Sequence, residues 1–351
     1  MSVCAFNHSY LGGLLGDEET ARYFTAEAEI SAMLAFERAL ATAQASVGLI
    51  PAEAARRIAD VCGGFRPDVA ALRTATARDG VVVPELVKQL RNAAGEEAGR
   101  HVHFGATSQD VIDTGLMLRL RQVSVIFLSR LAELDLSFIR LDSEFGDHQL
   151  MAHSRMQAAI SITAGDRIES WRRPMARHQD RLKRCLEHCF PVQFGGAAGT
   201  LEKLGDKGAV VRGAIAQELG LIDEPQWHSQ RDKIAEFASL LSLVTGSLGK
   251  FGQDIALLAQ GGTEIKLSGG GGSSAMPHKQ NPVKAEALVA LARYNATQVA
   301  GLHHSLVHEQ ERSGSAWTLE WLMLPPITVA TGASLRLALG LSHDIRTLGA
   351  T

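Results

Sequence analysis

Aromatic residues make up only 5% of this 351-residue chain, and it holds just four cysteines and ten prolines. Cys4, Cys62, Cys185 and Cys189 are too few to staple a chain of this length, so stability must come from a buried core. Thiols that need no partner also point to a reducing, cytoplasmic setting. A dominant charge is missing as well. The net charge of −3 gives no general attraction to nucleic acid or to an anionic membrane. No stretch reaches the roughly 18 uninterrupted apolar residues that mark a membrane helix. Met1 to Tyr10 lacks the basic and apolar segments of a signal peptide. What is present is ordinary for a globular chain: 46% apolar and 21% charged residues, which excludes wholesale disorder. Any anionic substrate must therefore meet positive charge gathered locally in a pocket.

Cys185, His188 and Cys189 fall within one helical turn, a spacing that zinc ligands use. No second pair stands at matching spacing elsewhere, so buried thiols are expected there, and neither metal nor cofactor.

Alternating β-branched runs are also scarce, whereas Ala, Leu, Glu and Arg abound, and this composition predicts an all-α fold. A first helix is predicted from Ala26 to Val47. Its stripe of Ile30, Met33, Leu34, Glu37, Leu40, Ala41 and Gln44 is mostly apolar, and Gly48 supplies the stop. A second runs from Ala52 to Val61 and is closed by Gly63-Gly64. A third is long, from Gly115 to Leu141, with Leu116, Leu120, Val123, Phe127, Leu131, Leu134, Phe138 and Leu141 at steps of three and four. After Ser229 the same steps link Ile234, Phe237, Leu241, Val244, Leu248, Phe251, Ile255 and Leu258 without an error. Ser229 with Asp232 would cap that helix, and about 30 residues at 1.5 Å each make it roughly 45 Å long. A last helix is expected to end between Leu341 and Leu348. Such lengths need cover from a bundle and from other copies of the chain. The expected division is a small N-terminal helical domain over 1–108 and a long-helix bundle over 109–351.

The densest chemistry sits after a run of four glycines, Gly269 to Gly272. Four glycines inside a helix would cost too much backbone entropy, so a mobile loop is expected. It carries Ser273, Ser274, Met276, Pro277, His278, Lys279, Asn281 and Pro282, and a helix resumes near Val283. Hydroxyls, an imidazole, an ammonium and an amide on one hinged loop suit an active-site lid. It follows a predicted helix and not a strand, which argues against a dinucleotide fingerprint.

Gly272-Ser273-Ser274-Ala275-Met276-Pro277-His278-Lys279-Gln280-Asn281-Pro282 resembles the signature of the fumarase/aspartase superfamily. His103-Phe104-Gly105-Ala106-Thr107-Ser108-Gln109-Asp110 resembles its first block, and His153 to Thr163 occupies the place of its second. Within the superfamily, three further segments are similar to the carboxymuconate cycloisomerases. They are Gln193 to Thr200, Trp227 to Asp232, and Glu311 to Trp317 with Glu320-Trp321. The resemblance implies a homotetramer around a helical bundle, with active sites shared between subunits. The substrate would be a small-molecule tricarboxylate, with no nucleic-acid or membrane partner. Relatives continue into a small third helical domain. The chain stops at Thr351, so that domain is expected to be absent.

The second block departs from the lyase pattern. Where lyases carry a histidine that helps to protonate the leaving group, this sequence has Arg155. In lactone opening the departing group is a carboxylate, which is stable without a proton at neutral pH. A cation that holds the attacking carboxylate is then more useful than an acid. A salt bridge within the bundle is the alternative role for Arg155.

By the same resemblance, Ser273 exchanges the Cα proton, with its hydroxyl activated by Lys279 and loop amides. Lys279 and Asn281 would bind the carboxylate that becomes an aci-carboxylate. Thr107, Ser108 and Gln157 would orient carboxylates, and Arg312 would add charge from another subunit. His103 matches a substrate-site histidine or is a core histidine, and His278 faces the site or solvent. The implied activity is cycloisomerisation of a carboxylated muconate. A fumarate-forming lyase and a non-catalytic scaffold on the same fold stay open beside it.

Overall fold

The computed structural model describes residues 4–272, 276 and 280–350. Helix α1, Ala26–Ser46, starts where the Thr25 hydroxyl accepts the Ala28 amide. The stripe expected on it is real: Met33, Leu34, Glu37, Leu40, Ala41 and Gln44 are all buried. Helix α2 spans Ala52–Gly64, and α3, Val69–Asp79, is capped by Asp68 and stopped by left-handed Gly80. Helix α4, Val83–Ala94, takes Pro84 in its first turn, where the missing amide hydrogen costs nothing.

The helices then lengthen. Helix α5 runs over 38 residues, Ser108–Phe145. After it come α6 (Ala164–His188), α7 (Gly208–Leu219), α8 (Asp232–Gly261), α9 (Val283–His304) and α10 (Ser315–Asp344). Every member of the two predicted seams, on α5 and on α8, is buried. Helices α8 and α10 are long and apolar enough to cross a membrane. Most of each apolar window, 61% and 67%, is instead buried against the rest of the chain.

Two hydrophobic clusters result. One joins α5, α6, α8, α9 and α10 and takes in Phe6, Leu14, Leu15, Tyr23 and Phe24 from the chain start. The other is built on α1, α2 and α4 and recruits Val192, Phe194, Leu201, Leu204, Val211, Ile215 and Ala216.

Two expectations are corrected. Ser229 does not cap α8. Arg231 stands at the N-cap with no side-chain cap bond, since a guanidinium has no acceptor for the helix amides, and its donors go to Asp113 and Glu320 instead. The last helix stops at Asp344, within the expected interval, and Ile345–Leu348 forms strand β4 against β3, Ile265–Leu267 (β1 and β2 precede them in the chain). The all-α bundle thus carries two small sheets. In the other, β1 (Gln149–Ser154) pairs with β2 (Gln157–Thr163) through the two-residue turn Arg155-Met156, both left-handed at φ 49° and 67°. The glycine run therefore follows a short strand, not a helix. Its glycines also serve close approach. A Cβ on Gly269 would lie 2.8 Å from Asp344 Oδ2, and one on Gly271 2.6 Å from Val283 Cγ2.

The bundle has two distinct ends. Helices α5, α8 and α10 all begin at one, which we call the head: Asp113 and Glu320, from the second turns of α5 and α10, meet Arg231 there, at the N-cap of α8. The other, the tail, holds both sheets. His148 bonds Leu348 O at 2.9 Å, and the Met151 amide bonds Glu264 Oε1 at 2.6 Å.

Candidate active site

At the head, Thr107 precedes α5, and its amide donates to Asp110 Oδ2 at 3.0 Å. Asp110 is fully buried. Its Oδ2 also accepts from the Gly196 amide at 3.0 Å, and its Oδ1 accepts from the Gly195 amide at 2.9 Å. The His228 ring completes the set, with Nε2 at 2.7 Å from Oδ1. Four donors thus fill one carboxylate, which fastens the Gly195-Gly196 turn and the segment before α8 to the start of α5. A side chain on Gly195 would lie 2.8 Å from the His228 ring, so glycine is required there.

Arg312 comes to this point from the loop between α9 and α10. Its Nη1 donates to Thr107 Oγ1 at 3.0 Å, and Nη2 to Ala197 O at 3.1 Å. The resemblance placed Arg312 in the site from another subunit, but within one chain it already reaches Thr107. The loop has the right length for this because α9 ends at His304 and α10 starts at Ser315, on the Thr107 side of the bundle. A guanidinium and a hydroxyl at the N-terminus of a long helix form a local positive spot suited to a carboxylate. Ser108 is the first residue of α5, half-buried beside Thr107. His103, four residues before Thr107, pairs through Nδ1 with Glu37 Oε1 at 2.6 Å.

Beneath this spot lies a buried ion cluster that sequence reasoning missed. Arg231 bonds Asp113 at 2.6 and 3.1 Å and Glu320 at 2.5 and 2.8 Å. Trp317 Nε1 donates to Asp113 Oδ1 at 3.0 Å, and the Trp227 ring stacks on the guanidinium. Burial alone would lower the Arg231 pKa, but the charges of Asp113 and Glu320 outweigh it and hold the group above its ordinary value. Burial holds Glu320 above the usual carboxylate range, against the pull of Arg231, because one cation is shared by two anions. The signal for this cluster was available: Asp113, Arg231 and Glu320 are charges set in or beside apolar seams.

Of the remaining candidates, Arg155, Gln157 and Asn281 lie at the tail. The Asn281 and Gly271 backbones bond each other twice at 2.9 Å and close the neck of the signature loop. Ser273, His278 and Lys279, which that neck carries, fall outside the described residues. Arg155, in the hairpin turn, and Gln157, first in β2, are exposed. Among the described residues no side-chain hydrogen bond or ion pair engages Arg155, so the alternative of a bundle salt bridge finds no partner there. Head and tail are separated by the length of α5, about 57 Å for 38 residues. A single chain thus brings His103, Thr107, Ser108 and Arg312 together and keeps Arg155, Gln157 and Asn281 far from them.

Cys185 and Cys189 are free thiols buried in the bundle core. Among the described residues no cluster of three His, Cys, Asp or Glu side chains could hold a metal ion.

Comparison with known proteins adds a family and an activity class. Residues 16–301 match the family described as Lyase. A 3-carboxy-cis,cis-muconate cycloisomerase of Pseudomonas aeruginosa is 40% identical over 333 residues, which cover 92% of this chain and 72% of that one. The crystal structure of the 3-carboxy-cis,cis-muconate lactonizing enzyme from Pseudomonas putida superposes with a TM-score of 0.90 at 36% identity. That match covers 96% of this chain and 77% of the other. A fumarate lyase from Mesorhizobium sp. BNC1 gives a TM-score of 0.89 at 31% identity, over 95% and 76% of the two chains.

Proposed function

This chain belongs to the lyase family that its residues 16–301 match, and from that premise we propose that it interconverts 3-carboxy-cis,cis-muconate and the corresponding carboxymuconolactone. The observation that carries the reading is the contact of Arg312 with Thr107 at the head of α5, a donor-rich cationic spot in a chain of net charge −3. A substrate with three carboxylates needs such local charge. Arg155 adds to it in place of a leaving-group acid.

In the proposed reaction a substrate carboxylate oxygen adds across the activated double bond. The electron pair moves onto the carbon next to a second carboxylate and gives an aci-carboxylate. Lys279 and Asn281 hold that group while its charge builds. Ser273 then delivers the proton to the carbon, and in reverse removes it. Arg155 grips the attacking carboxylate, and Thr107, Ser108, Gln157 and Arg312 orient the others, with His103 and His278 at the margin. No step needs a cofactor.

Thr107, Ser108 and Arg312 stand at one end of the chain and Arg155, Gln157 and Asn281 at the other, so the site we propose is completed by other copies. A β1–β2 hairpin with a six-residue first strand reaches back at most about 20 Å, well short of α5's length. A homotetramer with shared sites, organised as domain 1–108 and bundle 109–351, satisfies this. A cytoplasmic location fits the free thiols of Cys62, Cys185 and Cys189.

The test is the ultraviolet absorbance of the muconate. Its loss when protein is added to 3-carboxymuconate supports the reading. Turnover only of adenylosuccinate or argininosuccinate replaces it with a fumarate-forming lyase, and inertness toward all of them leaves a scaffold.

A further inference from the structure

Glu37 interrupts the apolar stripe of α1, and a buried carboxylate is costly unless something answers it. Its side chain is 1% exposed, and Oε1 lies 2.6 Å from His103 Nδ1. Seven residues on, on the same face, buried Gln44 donates from Nε2 to Phe104 O at 2.6 Å. Two polar side chains of one helix thus grip two consecutive loop residues. The grip has a purpose, because His103 is held at φ 63°, a left-handed conformation that a residue with a Cβ adopts only when its surroundings impose it.

The pair is well insulated. The Cys62 thiol on α2 is pushed up to about 12, by burial first and then by the Glu37 charge, so it stays protonated and does not compete for the imidazole. Arg38 faces outward to Glu218, and Arg91 bonds Val102 O. Arg312 bonds Thr107 and backbone carbonyls, and Asp110 is filled by its four donors. Among the described residues no hydrogen bond links any of these to His103.

A carboxylate only accepts, so Nδ1 carries the hydrogen. The ring keeps 13% of the side chain exposed, at the head of α5 beside the Thr107 spot. With Nδ1 turned into the core, Nε2 is the nitrogen left to face outward. We propose that Glu37 is a positioning residue for the reaction proposed above. It orients His103 through Nδ1 and holds the outward Nε2 edge of the ring at the Thr107 spot, where a substrate carboxylate binds.

This rests on the cycloisomerase reading, and two measurements separate its failure from that of the reading. In steady-state kinetics with 3-carboxymuconate, Glu37→Gln keeps an acceptor for Nδ1 but removes the charge. It should raise KM about tenfold and leave kcat within about twofold, the loss of one charge-assisted bond. His103→Asn should do the same, and the double variant should be no worse than either. Additive penalties, or a loss confined to kcat, overturn the proposal. Nitrogen-15 NMR of the His103 ring in the presence of propane-1,2,3-tricarboxylate does not depend on turnover. Nδ1 should carry hydrogen in the wild type, and Glu37→Leu, which removes the acceptor, should let that hydrogen move to Nε2. A wild-type ring with a bare Nδ1 overturns the proposal even if the variant fails to assemble. A wild type inert toward the muconate sinks the functional reading and leaves the ring spectrum to decide the pairing.

Discussion

Thr107 and Arg155 stand at opposite ends of α5: the threonine precedes its first residue, and the arginine lies on the hairpin turn ten residues beyond its last. Both belong to segments that resemble substrate-binding blocks of the family. A helix of 38 residues holds them apart by more than any substrate of this class can span. One consequence can be tested without any further structure.

Arg312→Ala should disable the head of the chain and Arg155→Ala the tail, and each homomeric variant should lose at least about a hundredfold in turnover. Mixed after unfolding and reassembled together, the two should recover activity, because some sites draw an intact head and an intact tail from different chains. Random assembly predicts about one quarter of wild-type activity for a site built from two chains. No recovery in hybrids of verified composition would mean that head and tail act within one chain.

Arg312→Lys preserves charge but not the fork that spans Thr107 Oγ1 and the Ala197 carbonyl. An ammonium is a point charge that cannot reach both. KM for the muconate should rise about tenfold to thirtyfold with a smaller change in kcat, as expected for loss of a positioning contact. Steady-state kinetics on the purified variant checks it, and an unchanged KM would remove Arg312 from substrate binding.

Arg231→Met should be among the most destabilising single changes in the molecule. It leaves Asp113 and Glu320 buried without their cation, a loss of about 3–5 kcal/mol. Converting all three to apolar residues, Arg231→Met with Asp113→Leu and Glu320→Leu, should restore much of that. Denaturant midpoints of the two proteins decide the matter. A triple variant no better than the single one would show that the cluster does more than balance its own charges.

His178 on α6 bonds Ser247 Oγ through Nε2 at 2.8 Å. Burial, and then the Arg181 and Arg177 charges, lower it from 6.5 to about 4. A histidine depressed in the folded state contributes stability that is complete above pH 6.5 and is lost as pH falls toward 4, because the unfolded chain takes up the proton first. The loss across that window is about 3 kcal/mol. His178→Gln, which can still bond Ser247, should flatten this part of the stability profile. Denaturation curves at pH 7 and pH 4.5 for both proteins give the comparison, and equal slopes would rule the assignment out.

How far the sequence could be read depended on which physical signal each feature leaves in it. Apolar periodicity is local, so the seams Leu116 to Leu141 and Ile234 to Leu258 were readable, and the helices lie where those seams put them. Helix ends were less so. Ser229 looked like a cap, yet Arg231 took that position because its partners Asp113 and Glu320 come from elsewhere in the chain. The β1–β2 hairpin escaped because Arg155-Met156 is not a glycine or asparagine turn, and its left-handed dihedrals leave no compositional mark.

The family and its signature loop were determined by sequence alone, since they reside in the identity and order of residues such as Gly272 to Pro282. So was the choice of a lactonising reaction over an elimination, which rests on Arg155 where an acid would stand. Only the tertiary structure decided which of these residues can meet. Arg312 joins Thr107 across 205 positions because the α9–α10 loop returns to the head. Glu37 finds His103 across 66 because α1 lies beneath that segment. Arg155 is carried to the far end by the 38 residues of α5 and Asn281 by the 30 residues of α8, because a hydrogen-bonded helix cannot be folded back and its length fixes the distance.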